Sequence, residues 1–276
     1  MAIFPPLSLD DLKPTLATLQ VYAQFIGKVR RALTPRQKHW SHVSLRVAVN
    51  GITTTPIPED SITFELVLDL IAHGLVITTS RGEQWSESLE GLSAARLCEE
   101  GLSALAGFGI NPEIDRSLFS DTTAGRYDAG IARQYFNALS QIDMVLKKYQ
   151  GTLREETSPV QLWPHHVDLA MLWFSGRLVP GVDPADEENA DEQMNFGFAP
   201  GDEGIPAPYF YITAYPMPDG LTDTRLPADA KWLTERFTGA VMMYEAIANA
   251  DDPAEKLLDF FRIVQQAGVS FMRREV

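Results

Sequence analysis

A chain of 276 residues, 45% aliphatic, aromatic or sulfur-bearing and 22% charged, is long enough to bury a sizeable core and too apolar to be dominated by disorder. Its 37 acidic residues against 23 basic ones give a formal net charge of −14, and Lys and Arg form no basic run in the sequence; nucleic acid and anionic membranes are therefore poor candidate partners. Cys98 is the sole cysteine, which excludes an internal disulfide and suits a reducing compartment, and its spacing from Ala95, Leu102 and Leu105 puts it on the apolar face of a helix as a structural thiol.

Leu9, Leu12, Leu16, Leu19, Ala23 and Ile26 recur every three or four residues, predicting a first amphipathic helix that ends before Pro35. From His42 the period changes to two, with Val43, Leu45, Val47 and Val49 sharing a face, so a strand is expected from His42 to Gly51. Ile62 to Leu70 alternate in the same way. His73-Gly74 then reads as a turn into Leu75–Thr79, and Arg81-Gly82 as a further hairpin towards Trp85. A second helix covers residues 92 to 107, stopped by Gly107 and Gly109.

Residues 111 to 128 show no sustained period and read as a connection. Beyond them Ile131, Tyr135, Leu139, Ile142, Leu146 and Tyr149 form another helical stripe. A strand is expected from His166 to Phe174, apolar on both faces and hence in the middle of a sheet. The acidic stretch 183–192, with Asp183, Asp186, Glu187, Glu188, Asp191 and Glu192, lacks the ligand spacing of a calcium loop and reads as solvated surface. Phe196–Ala199 and Tyr209–Ala214 supply further strands, and Pro253 at a first helical position opens the last helix.

Two stretches of this pattern look like copies. His42-Val43-Ser44-Leu45 follows Trp40, and His166-Val167-Asp168-Leu169 follows Trp163; before each, a Leu precedes a Lys by nine residues (Leu19 and Lys28, Leu139 and Lys148). The expectation is an α+β fold of two diverged helix–strands–helix repeats, residues 1–110 and 129–276. They would be related by a pseudo-twofold axis, with mostly antiparallel sheet and a cleft between related halves as the place for a ligand.

Chemistry-bearing residues gather near these strands. His166 and Asp168, two apart on the expected strand, share a face, where the carboxylate can orient the imidazole as a general acid–base pair or simply hydrogen-bond it. Trp40, His42 and Trp163 can line a pocket at the mouths of the strands. Arg177, beside the flexible Gly176, can clamp a carboxylate or phosphate, or pair with a protein acid. Tyr209, Tyr211, Thr213 and Tyr215 fall on one strand face, and the phenols can wall a small ligand or reflect strand propensity alone. Ser44 and Ser175 lack a Gly-x-Ser-x-Gly elbow, which argues against a serine hydrolase. No Walker loop, Rossmann glycine fingerprint or zinc spacing is present, so no metal or cofactor is assigned.

The chain resembles the bacterial DUF5996 proteins, a family of unknown function, along nearly all of its length. The similarity runs through Thr15–Leu19, Gly27–Leu33, His39–Val43, Thr53–Pro58, Ser158–Val160, Asp168–Ala170, Phe174–Arg177, Gly197–Gly201, Tyr209–Tyr211 and Tyr215-Pro216. It implies no reaction. It does imply that Asp168 and Arg177 follow the family pattern while His165 and His166 depart from it, where Trp-Gly is usual. Three readings follow: a cytoplasmic small-molecule binder, a hydrolase- or isomerase-type enzyme using His166 and Asp168, or a scaffold for protein partners.

Overall fold

The structure is a computed structural model, and it describes residues 4–186 and 188–272. It is α+β, with two antiparallel sheets and the chain divided into two compact units. The N-terminal unit comprises Asp10–Phe136 with Leu162–Val167; the C-terminal unit comprises Met1–Leu9, Asn137–Gln161 and Asp168–Val276.

In the N-terminal unit, α1 (Leu9–Leu33) runs to the residue before Thr34-Pro35, as its apolar spacing predicts. The sheet has β1 (Arg46–Val47), β2 (Gly51–Thr53), β4 (Ile62–Asp69), β5 (Gly74–Thr79) and β6 (Gln84–Ser88) side by side in that order, with β3 (Ile57–Glu59) also paired to β4. Along β4 burial alternates residue by residue, and Ile62, Phe64, Leu66 and Leu68 turn inward as the period of two requires. Helix α2 (Ala94–Gly107) is capped by the Ser93 hydroxyl, which accepts the Arg96 N–H at 3.2 Å. Gly101 lets α2 approach Phe25 of α1 closely, since a Cβ there would meet the ring at 2.6 Å.

The first strand differs from expectation. Residues Lys38–Val43 form a 3₁₀ segment in which His39 and Trp40 both take positive φ, 53° and 56°; Leu45 makes an isolated antiparallel bridge with Leu162, and the strand itself starts at Arg46. The chain reverses at once, because the Ala48 N–H donates to the Gly51 carbonyl at 2.8 Å, and Val49 is left 96% exposed at the turn. Gly51 is required there: a side chain would strike the backbone of Leu68 on β4. The alternation of Val43, Leu45, Val47 and Val49 thus spans a 3₁₀ turn, a short strand and a reversal.

In the C-terminal unit, the strands are β8 (Asp168–Leu178), β9 (Asp191–Ala199), β10 (Tyr209–Tyr215), β11 (Ala230–Leu233) and β12 (Gly239–Met243), ordered β11-β12-β10-β9-β8. The strand expected from His166 begins instead at Asp168. The Val167 N–H donates to the Trp163 carbonyl at 2.8 Å and Val167 has φ 54°, so residues 163–167 are a turn that follows β7 (Gln161–Trp163). The inference that His166 and Asp168 share a strand face fails with it. Of the acidic stretch, Asp191 and Glu192 belong to β9, Asp183 and Asp186 accept turn N–H groups, and Glu187 lies outside the described residues. The short strands β11 and β12 are additions to the sequence reading; Ala240-Val241-Met242 is buried on both faces and so shows no alternation.

One face of this sheet is a dense aromatic core. Phe196, Phe198 and Phe210 meet Tyr244 of α4 (Tyr244–Ala248) and Phe261 of α5 (Pro253–Met272), with ring centroids 5.4–6.4 Å apart. Tyr149, in the last turn of α3 (Ala129–Gln150), packs at a tilt into the same cluster, 5.2 Å from both Phe196 and Phe261. Gly268 brings α5 down onto Met194 of β9, where a Cβ would collide with the thioether. Pro253 opens α5 as expected.

Candidate functional site

The opposite face of the C-terminal sheet carries the polar chemistry. The register pairs Tyr209 with Ala199 and Met243, Tyr211 with Gly197 and Val241, and Lys231 with Val241, so Tyr209, Tyr211, Val241, Met243, Lys231 and Leu233 all project to this one side. By the same register Ala170 lies beside Gly197, which places Asp168, two residues earlier on β8, on that face too.

Two tyrosine–carboxylate pairs organise it. The Tyr211 hydroxyl donates to Asp168 Oδ2 at 3.4 Å, and the Tyr209 hydroxyl donates to Asp202 Oδ2 at 2.8 Å; the two phenol rings are neighbours, 6.1 Å between centroids. Burial, reinforced by the Asp168 charge, holds the Tyr211 phenol far above its ordinary pKa. Burial and the bond to Asp202 likewise push Tyr209 up. Both phenols are therefore neutral hydrogen-bond donors throughout the physiological range.

Asp202 shapes the loop above this floor. Its Oδ1 accepts the N–H groups of Gly204 at 2.6 Å and Ile205 at 2.9 Å, the geometry of an Asx turn. Partial burial raises the carboxyl pKa, but the hydrogen bonds from Ile205, Tyr209 and Gly204 and the nearby Arg236 charge outweigh it and hold the group below its usual value. Opposite this turn, residues 231–237 bring Lys231, Trp232, Arg236 and Phe237. The Trp232 Nε1 donates to the Thr224 carbonyl at 2.9 Å, which fixes the indole, and the Arg236 side chain packs so closely on Gly204 that no Cβ would fit there. Floor, turn and 231–237 segment together enclose an open pocket of about 670 Å³. That volume falls in the range of small-molecule sites.

Of the residues singled out by sequence, Tyr209 lines this pocket, and Tyr211 and Asp168 lie beside it on the same face. Arg177 is at the far end of β8, exposed, and pairs with Glu192 at 3.4 Å. Trp40, His42, Trp163 and His166 belong to the N-terminal unit. There Trp40 stacks on His42 at 5.7 Å and 25°, with the Arg31 and Arg36 guanidinium groups 5.7 and 5.3 Å from its ring centre. His42 is buried and its Nδ1 accepts the Gln37 N–H at 3.2 Å, whereas His166 is exposed in the turn before β8. Lys231, Trp232, Arg236 and Phe237 were missed. Their segment has no periodicity, and the only signal was the alternation of cations with aromatics in Lys231-Trp232 and Arg236-Phe237.

Among the described residues no group of three His, Cys, Asp or Glu is arranged to hold a metal ion, and no helix is long and apolar enough to cross a membrane. No curated protein and no solved structure matches the chain. A family model described as a family of unknown function, DUF5996, matches residues 4–275. With nearly the whole length covered, the chain belongs to the DUF5996 family.

Proposed function

We propose that this protein binds a small organic anion with a planar or aromatic part, in the pocket over β10, β12 and β11. The observation that carries this reading is the charge arrangement. Lys231 and Arg236 stand, together with Glu235, at a pocket walled by Tyr209, Trp232 and Phe237, in a protein of net charge −14, while Asp202, near Arg236, accepts the hydrogen bonds of its own turn and of Tyr209. A carboxylate or phosphate would meet the two cations, a ring would lie against the aromatic wall, and neutral Tyr209 and Tyr211 would face it from the floor. Such a ligand replaces the cleft between halves with a site built inside one unit. The single buried thiol, Cys98, fits a cytoplasmic setting.

The test is titration of the full chain with benzoate and, as the uncharged comparator, benzyl alcohol, followed by tryptophan fluorescence and thermal unfolding. Benzoate is expected to quench the fluorescence saturably and raise the unfolding temperature, benzyl alcohol to do neither. Arg236→Ala should abolish the benzoate response and keep wild-type stability. Responses to benzoate that survive both Arg236→Ala and Lys231→Ala would refute the pocket as the binding site.

A further inference from the structure

Arg30, in the last turn of α1, is a buried cation with no ion-pair partner among the described residues. It is 7% exposed, and burial lowers its pKa with no acidic group contributing. Its Nη1 donates to the Thr54 carbonyl and, at 3.0 Å, to Thr55 Oγ1. The Nε is sealed from solvent and has no hydrogen-bond partner among the described residues. Glu65 of β4 accepts a hydrogen bond from the Thr53 hydroxyl.

A second unsatisfied group sits beside it. Thr34, the first residue past α1, still donates its N–H to the Arg30 carbonyl at 2.8 Å, which places it one turn beyond Arg30 along the chain. The Thr34 hydroxyl is also buried, with no hydrogen-bond partner among the described residues. Facing them, Thr55 has φ 60°, a left-handed conformation rare for a β-branched residue, and its N–H is tied to Thr53 Oγ1 at 2.7 Å. Strain of this kind persists where the surrounding structure imposes it, commonly at ligand sites.

We propose that Arg30, Thr34 and the Thr54-Thr55 turn form a binding site for one small oxyanion, a carboxylate or a phosphate group. The Nε edge of the guanidinium is the fork that such groups take through two parallel hydrogen bonds, and the Thr34 hydroxyl supplies a third donor. A buried water would satisfy the same donors, but it brings no negative charge to a guanidinium removed from solvent. The site lies in the N-terminal unit and is independent of the pocket over β10–β12.

The experiment follows thermal unfolding of the full chain in a zwitterionic buffer at constant ionic strength while chloride is replaced by acetate or by inorganic phosphate. A saturable rise in unfolding temperature with either anion is expected, and which one acts distinguishes a carboxylate from a phosphate ligand. Thr34→Val should raise the half-saturating concentration about fivefold, the effect of one lost hydrogen bond. Arg30→Lys, which keeps the charge and loses the fork, should remove saturation. If Arg30→Lys does not fold, Thr34→Val decides alone. An unfolding temperature flat in both anions overturns the site, as does a rise identical in wild type and Thr34→Val, which is the signature of general salt exclusion.

Discussion

Gly197 on β9 lies directly opposite Tyr211 on β10, and the phenol ring fills the space that a Cβ at position 197 would need. The missing side chain lets Tyr211 lie across the sheet and reach Asp168, 43 residues away in the chain. Gly197→Ala is therefore expected to displace the ring and destabilise the protein by about 1–3 kcal/mol, the usual cost of overpacking. Much of that loss should be recovered in the double variant Gly197→Ala/Tyr211→Ala, because the clash needs both side chains. Urea unfolding of the four proteins of this cycle is the measurement, and strictly additive effects would contradict the contact.

The Asp202 turn should respond to acid in one direction. Its carboxyl pKa is lower in the folded protein, so the carboxylate stabilises the turn above the ordinary value of about 3.9 and loses that contribution as pH falls through the lower native value. The backbone amide signals of Gly204 and Ile205 are expected to move together in one titration with a midpoint below about 3.9. In Asp202→Asn this acid transition should vanish. A midpoint at or above the ordinary carboxyl value would show that the Asx turn is not formed.

The aromatic core on the other face should dominate stability. Phe261 is fully buried against Tyr149, Phe196, Phe210 and Phe260, so Phe261→Ala is expected to cost about 3–5 kcal/mol. Ile263, two residues on, is 37% exposed on the same helix, and Ile263→Ser should stay within about 1 kcal/mol. The shift of the urea midpoint at constant slope compares the two.

Arg177→Ala should be nearly silent. The guanidinium is exposed and its partner Glu192 is 3.4 Å away, a geometry worth less than about 1 kcal/mol. Its place at the end of β8 also predicts an unchanged benzoate titration. A large loss of benzoate affinity would reinstate Arg177 as a ligand clamp.

Helices and long strands were legible because their signal is local. The stripe from Leu9 to Ile26, the alternation along Ile62–Leu68 and the Pro253 start each reflect burial of one face of one element. The strand starts at His42 and His166 were misread for a shared reason: alternating residues also occur across a turn. Positive φ at His39, Trp40 and Val167, which no residue type there announces, is imposed by bonds such as Val167 N–H to Trp163 O.

The sequence by itself determined the α+β class, the family, the acidic charge balance and the tyrosines of β10 as a polar strand face. Only the tertiary structure decided which partners those tyrosines meet, Asp168 and Asp202, and that Lys231 and Arg236 complete the pocket. It also decided that Arg30 is buried, with no ion-pair partner among the described residues. Periodicity records which side of an element is buried, whereas a site is made by sheet register and loop closure between residues far apart in the chain, and neither leaves a repeat to read.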